Sequence, residues 1–338
     1  MKKLWTYNYQ KGLSSQLVSK DYYQDEKYLY FCFCYYKAYD NHSLIIKLDK
    51  ETGEAQTIYE ISHIIRSIGA VEDGLIYFSN LRREVTCIDL NGNEIWKTEL
   101  DDGNPLFKVL IDGEKIYVNS DGTYCLNKKD GSIVWHHNNS KGYDFCFDEK
   151  NIYVAPAGNS VYCLDKHTGK ELWQCGDDQW FKSITVFDEK TLMLVGTSKQ
   201  IVFMDINNGD IINSNSGMKY LSNDPVIKNG LVFLGDCDNI FEDESKSGHM
   251  YCLKVSDTYK TKKIFSTEIE SGVSSAAFFY NDKIFFGTGK GYLYIVDPDS
   301  GEIIKKKKTS GTCRCLAFDG DKIFIMSDKG QIECDSLK

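Results

Sequence analysis

The hydrophobic and polar positions of this chain fall into short alternating or wholly apolar runs, separated by small polar clusters. That is the pattern of β-strands joined by tight turns. One set of runs reads QDEKYLYF, EDGLIYF, IDGEKIYV, FDEKNIYV, FDEKTLML, KNGLVFL, YNDKIFF and FDGDKIFI. Each places a polar turn before a strand rich in Ile, Tyr, Phe and Val. A second set lies further downstream within each unit: LDKETGEAQTIY, IDLNGNEIWKTE, LNKKDGSIVWHH, LDKHTGKELWQC, MDINNGDIINSN and VDPDSGEIIKKK. Here an apolar strand ends in Asp or Asn, able to accept backbone N–H groups ahead of it. The glycine that follows supplies the positive φ of a hairpin turn. Four residues past the glycine stand Trp96, Trp135 and Trp173, which are expected to pack from the outgoing strand against the neighbouring unit.

The spacing turns these hairpins into an architecture. The marker glycines are Gly53, Gly92, Gly131, Gly169, Gly209 and Gly301, with gaps of 39, 39, 38, 40 and 92. The last gap is two periods, and its missing turn is visible as YCLKVSDTYKTKKIF, which lacks the glycine. Two hairpins per period make four strands, one propeller blade. The first marker occurs eight times, and the chain stops just past Cys334-Asp335, one strand short of an eighth blade. KKLWTYNY, residues 2–9, matches the outgoing strand KELWQC and is expected to complete that blade. The expected fold is therefore all-β: one eight-bladed propeller of four-stranded antiparallel blades, closed by the N-terminal strand so that no sheet edge is left open. Residues 1–12 are the closing strand of blade 8. Blades 1–7 span 13–60, 64–100, 104–140, 143–176, 180–216, 222–268 and 273–308, and residues 313–338 form the rest of blade 8.

Composition narrows the function classes. The net charge of −9 argues against general nucleic-acid binding, which rests on neutralising phosphates, and is compatible with a basic partner. Met1-Lys2-Lys3 resembles the charged start of a signal peptide, but no apolar stretch follows it. The longest apolar run, residues 28–36, is too short for a membrane span. A cytoplasmic, monomeric protein without a membrane segment is the expectation. Of the twelve cysteines, Cys87, Cys125, Cys163 and Cys252 each stand two residues before the same landmark, in TCID, YCLN, YCLD and YCLK. Equivalent positions in different blades are too far apart for disulfides, so these read as small buried hydrophobes in a reducing compartment.

The strand ending in Leu-Asp followed by x-x-Thr-Gly-x-x-x-Trp, clearest in YCLDKHTGKELW (162–173), resembles the pyrroloquinoline-quinone (PQQ)-like propeller repeat. The resemblance covers essentially the whole chain. It implies the propeller fold and two kinds of relative, quinoprotein dehydrogenases and a non-enzymatic lipoprotein that assists outer-membrane protein assembly. Fold analogy by itself assigns no activity. The dehydrogenases bind the quinone and calcium at the propeller centre and carry a disulfide between adjacent cysteines. No two cysteines are adjacent here, and Cys32-Phe-Cys34 and Cys313-Arg-Cys315 lack the usual zinc spacing. No cofactor and no metal are expected, and the non-enzymatic branch is preferred. GTGKGYLY (287–294) reads as a β-turn rather than a phosphate loop, and the six histidines form no readable triad.

Departures from the repeat point to the interaction surface, because insertions map to loops on one face. YKAYDNHS (36–43) and DCDNIFEDESKSGH (236–249) are expected to lengthen loops in blades 1 and 6. Together with the blade-to-blade connections they gather the candidate partner-binding residues Tyr39, Asp101, Asp102, Asp177, Asp178, Trp180, Phe241, Glu242, Asp243 and Glu244. Aromatics ringed by carboxylates suit the docking of a basic protein. The lysine runs 260–263 and 305–308 read as solvated strand edges. The expected function is a non-enzymatic protein-binding propeller, an immunity-type inhibitor or scaffold; the alternative is an enzyme with a central-channel site.

Overall fold

The computed structural model describes residues 1–9, 15–16, 22–37, 40–101, 108–156, 160–176, 181–196, 200–221, 224–238 and 246–338. Among these, every regular element is a β-strand, and the strands form eight antiparallel sheets, the blades of an eight-bladed β-propeller. No helix among the described residues is long and apolar enough to cross a membrane. Blade 2 is typical, running Ile65–Glu72, Leu75–Asn80, Glu84–Asp89 and Glu94–Glu99 in spatial order. Blades 1 and 6 depart from it, because their first strand is split into two short pieces on one neighbour: Ser15–Gln16 and Tyr23–Gln24, and Tyr220–Leu221 and Val226–Lys228. The chain divides into two compact units. Residues 21–194 with 204–210 hold blades 2, 3 and 4 entire; residues 1–20, 195–203 and 211–338 hold blades 6, 7 and 8.

The N-terminal strand does complete blade 8. Lys2–Asn8 pairs antiparallel with Gln331–Ser336, with Trp5 opposite Cys334 and its ring 5.8 Å from Phe324. One expectation is corrected. The blade 1 insertion does not make a long loop; it lengthens the hairpin itself, since Tyr28–Lys37 and Asp40–Asp49 pair along ten residues each. Continuing the ladder satisfies backbone groups that an open loop would leave to water.

The hairpin turns form for a local reason. In the DEK turns, Asp25 Oδ1 accepts the N–H groups of Lys27 and Tyr28 at 2.8 and 2.7 Å, and Oδ2 accepts the Tyr30 hydroxyl at 2.8 Å. Asp148 repeats this in blade 4 with Lys150, Asn151 and Tyr153, each at 2.7 Å. In the second turn, Asp165 Oδ1 accepts the Thr168 N–H at 2.7 Å while its carbonyl accepts the Gly169 N–H at 2.8 Å. Lys166, next in the chain, bonds the Asp148 carbonyl at 2.6 Å and pairs with Asp112 of blade 3 at 2.7 Å. One short sequence thus closes its own turn and ties it to its neighbour.

Blades join through the fourth-strand aromatics. Trp96 of blade 2 donates its indole N–H to the Lys128 carbonyl of blade 3 at 3.1 Å, and Trp173 of blade 4 donates to Ile206 at 3.1 Å. Each indole lies against the next blade's marker glycine. At Gly169 (φ 72°) a methyl group would come within 2.5 Å of Trp135, and at Gly209 (φ 77°) within 2.7 Å of Trp173. Glycine is needed there twice over, for the left-handed backbone and for the space. Within its own blade each indole leans on a second-strand tyrosine: Tyr77 on Trp96, Tyr117 on Trp135 and Tyr153 on Trp173, at 6.1, 6.1 and 6.3 Å. The residue directly opposite the indole is Cys87, Cys125 or Cys163. A small buried thiol fits beneath so large a ring, which accounts for the recurring cysteine; all twelve cysteines are free thiols.

The junction between blades 5 and 6 uses a different joint. Asn213 replaces tryptophan, and Asn213 and Asn215 donate to the carbonyls of Thr258 and Tyr259 at 3.3 and 3.1 Å. The blade 6 turn has no glycine, and Tyr259 itself takes φ 57° and places its ring 5.5 Å from Phe203. The aromatic is supplied from the opposite side of the joint.

Two outcomes are expected. Replacing Trp96, which is 9% exposed, by alanine should cost about 3–5 kcal/mol in urea unfolding, whereas Ile95→Ala, at 52% exposure, should stay within about 0.5 kcal/mol. Burial works against ionisation of Asp148, but the bonds from Tyr153, Asn151 and Lys150 outweigh it and hold its pKa below the ordinary value. A lowered folded pKa means that its stabilisation is complete above the unfolded value of about 3.9 and is lost as pH falls through the folded one. Asp148→Asn should therefore flatten the fall of the urea midpoint below about pH 4.

Candidate functional site

Of the candidate partner-binding residues, Asp101 is described and is exposed at the end of blade 2. Tyr39, Asp102, Asp177, Asp178, Trp180, Phe241, Glu242, Asp243 and Glu244 lie outside the described residues. What the structure does show is how the ends of the blades that carry the connecting segments are built. The second strand of a blade often ends in a buried polar side chain that holds the chain beyond it. Asn80 accepts the Arg82 N–H at 2.8 Å. Asn119, 1% exposed, donates to Thr123 Oγ1 and the Ser140 carbonyl at 2.8 and 2.9 Å and accepts the Gly142 N–H at 2.9 Å.

The strongest such centre sits at the stem of the blade 6 insertion. Asp236 is fully buried and accepts four hydrogen bonds. Oδ1 receives the His249 backbone N–H at 2.8 Å and pairs with its ring Nδ1 at 2.9 Å. Oδ2 receives the Tyr251 hydroxyl at 2.8 Å and the Lys219 N–H at 3.0 Å. A buried carboxylate requires such a full set of donors. One turn further out, Asp238 accepts the Lys246 N–H at 2.9 Å, and its own N–H donates to the Ser247 carbonyl at 3.1 Å. Lys219 Nζ bonds Ser247 Oγ at 2.9 Å. Residues 236–238 and 246–249, the described flanks of the insertion, are thereby bonded to one another. Burial, and after it the Asp236 carboxylate, push the Tyr251 hydroxyl pKa upward, so it stays a donor. The bond from Nδ1 leaves the His249 ring oriented, a quarter exposed.

Two further polar clusters escaped sequence reading. His137 Nδ1 lies 2.9 Å from Ser140 Oγ and its Nε2 lies 3.4 Å from Glu171 of blade 4. This resembles a serine–histidine–carboxylate relay, but Ser140 is fully buried and also bonded to Thr123 at 2.7 Å, so it has no access to substrate. The neighbouring His136 faces the other way, stacked on Tyr124 at 3.7 Å, with its pKa lowered by burial against the pull of Asp101. Glu270, just past the last strand of blade 6, receives three groups of blade 7: the Tyr294 hydroxyl, Lys306 at 3.0 Å and Thr288 at 3.0 Å. These donors outweigh its burial and lower its pKa. Lys307 pairs with Glu333 and Asp335 at 2.7 and 2.6 Å. The run 305–308 is therefore not merely a solvated edge: strand alternation turns Lys306 toward the half-buried Glu270 and Lys307 toward the buried Glu333 and Asp335 of blade 8. GTGKGYLY is a turn as expected, with the Gly291 N–H on the Thr288 carbonyl at 2.9 Å. Among the described residues no group of three or more His, Cys, Asp or Glu is placed to hold a metal.

The fold defines a class: a repeat β-propeller whose described blade ends are tied by buried side-chain hydrogen bonds. The family model described as outer membrane protein assembly factor BamB matches residues 41–146 and 124–338, and the chain belongs to that family. The crystal structure of BamB from Moraxella catarrhalis is similar at 15% identity and TM-score 0.67, covering 98% of this chain and 96% of that one. A europium-containing methanol dehydrogenase is similar at 12% identity and TM-score 0.66, covering 96% and 84%. The computationally designed Ika8 protein reaches TM-score 0.75 at 12% identity, covering 99% and 100%. At these identities the likeness is one of fold. No curated protein matches the sequence.

Asp236→Asn should leave donors facing an amide that cannot accept them all, costing about 1–3 kcal/mol by thermal unfolding. The side-chain ¹⁵N shifts of His249 should move in the same variant, reporting loss of the Nδ1 bond.

Proposed function

We propose that this chain is a non-enzymatic binding propeller that docks a basic protein partner through the connecting segments at its blade ends. It acts as a monomer in a reducing, cytoplasmic compartment, and its most specific form is an immunity-type inhibitor or scaffold. The observation that carries this reading is the stem around Asp236. A fully buried carboxylate with four donors, backed by the Asp238–Ser247 bond, is a costly device at the base of one insertion, and such a device supports a role for the segment it carries. The family's description as an assembly factor supports binding rather than turnover. The net charge of −9 supports a basic partner, and ten of the twelve free thiols being buried supports a reducing setting.

The enzymatic reading draws on one observation, the carboxylate-oriented His249 ring, which is also what a general base requires. One experiment separates the two. Intact protein and a variant with residues 239–245 replaced by two glycines are immobilised and exposed to native lysate. Capture of a basic protein by the intact form, lost in the variant at an unchanged melting temperature, is the expected result. Equal capture by both would remove the blade 6 segment from the interface. No capture by either would remove the binding reading and leave His249→Ala to be tested for lost turnover.

A further inference from the structure

The last strand of each blade is an edge of its sheet, paired on one side only. In blades 6, 7 and 8, which lie in one compact unit, these edges are Thr261–Ile269, Ile303–Lys308 and Lys2–Asn8. Together they carry eight lysines and one acid, Glu268. The last strands of blades 1 to 5, Ala55–Ile61, Glu94–Glu99, Ile133–His137, Glu171–Gly176 and Ile211–Ser216, carry one lysine and four glutamates. Lysines that only kept edges from pairing would be needed on every blade. In a chain of net charge −9, their confinement to three consecutive blades is a segregation of charge. Three of the eight are neutralised: Lys306 by Glu270, Lys307 by Glu333 and Asp335, and Lys3, more loosely, by the same Glu333 at 3.5 Å. Among the described residues no carboxylate pairs with Lys2, Lys262, Lys263, Lys305 or Lys308. Lys262 instead stands directly opposite Lys254 in the ladder, both exposed, a placement in which like charges repel. Lys305 likewise lies against the Met1 α-ammonium and lowers its pKa.

Each of these strands also shows an apolar side chain to solvent. Leu4, Ile264 and Ile304 stand where the register shifts, one residue extra against the neighbouring strand, and all three are exposed. Ile95, Val134 and Leu172 hold the same place in blades 2, 3 and 4, so the exposed aliphatic belongs to the repeat. What differs is its neighbour. Glu94 and Glu171 precede it in blades 2 and 4, whereas Lys3 and Lys263 do so in blades 8 and 6. In blade 7 Lys305 follows it, and Ile303 is exposed beside it. Aliphatics flanked by ammonium groups match a bilayer surface, where anionic headgroups meet the lysines and the acyl boundary beneath takes the aliphatics. Cations spread over three edges suit a fluid leaflet, whose headgroups move to meet them, better than a folded acidic protein, whose carboxylates are fixed. We propose that the edges of blades 6, 7 and 8 dock this protein on an anionic lipid surface, with their unpaired lysines on the headgroups and Ile303 and Ile304 of the middle blade at the acyl boundary.

Cosedimentation of the full chain with phosphatidylcholine vesicles containing about 30% phosphatidylserine tests this. Binding is expected at least about tenfold tighter than to phosphatidylcholine alone, and it should be lost in about 0.5 M salt, which screens the headgroups. Lys262→Glu with Lys308→Glu should weaken it at least about 25-fold, since each lysine near such a surface contributes about fivefold. Lys129→Glu with Lys170→Glu, the same change of charge on exposed turns of blades 3 and 4, should stay within about threefold of wild type. Ile304→Ser, at a side chain 49% exposed, should weaken binding about tenfold at an unchanged melting temperature. The lipid preference and salt response of the intact protein decide the matter if a variant does not fold. No preference for the anionic vesicles, equal loss in both double variants, or wild-type binding by Ile304→Ser would overturn the proposal. Tighter binding of poly-L-glutamate than of the vesicles, charge for charge, would overturn it as well and assign the edge to an acidic polypeptide. These edges share no residue with the blade 6 insertion, so their failure leaves the proposed function untouched.

Discussion

The structure rests on the contact between a fourth-strand aromatic and the positive-φ glycine of the following blade. A single blade buries little by itself, and repeat architectures gain stability mainly from the interfaces between neighbours. Here that interface is concentrated in an indole lying flat where only a glycine leaves room, as Trp135 does at Gly169 and Trp173 at Gly209. The same ring rests on a tyrosine of its own blade and over a cysteine in the adjacent strand. Tyrosine, cysteine, tryptophan and glycine thus form one packing unit, divided between two blades. The recurring cysteines belong to it as small buried groups, and their number says nothing of disulfides.

Where one member of this unit is lost, the others adjust in a physically legible way. Asn213 cannot fill the space of an indole, and the next turn answers with Tyr259 in place of glycine and with side-chain amides bonding its carbonyls. In blade 6 Phe265 serves for tryptophan against Gly301. In blade 7 Lys305 stands in the aromatic's place, and Phe318 of blade 8 packs edge-on against Phe285 instead. The same principle links the polar groups. Acids such as Asp236 and Asp335 are buried near the ends of their strands, where cations or hydroxyls of neighbouring strands bond them.

The blade 6 stem shows what an insertion asks of the blade that carries it. Asp236 is fully buried at its base and is met by four donors from Lys219, His249 and Tyr251.

How much of this could be read beforehand divides along a clear line. The blade count, the hairpins, the closing strand and the roles of Trp96, Trp135 and Trp173 were legible, because each depends on residues a few positions apart repeated many times. The segment 236–249 was legible as a departure, but the pairing of Asp236 with His249 and Tyr251 was not. The blade 1 insertion was misread as a loop because nothing local distinguishes a lengthened hairpin from an open one. Of the residues chosen for docking, Asp101 is exposed, and the remaining nine lie outside the described residues. The relay of Ser140, His137 and Glu171 and the neutralised lysines of blade 7 join atoms from different blades, and no spacing along the chain encodes them. Sequence by itself determined the repeat, since turns and strand periodicity are local properties of the chain. Only the tertiary structure decided which polar groups meet, because that depends on what the neighbouring strand or blade brings to the contact.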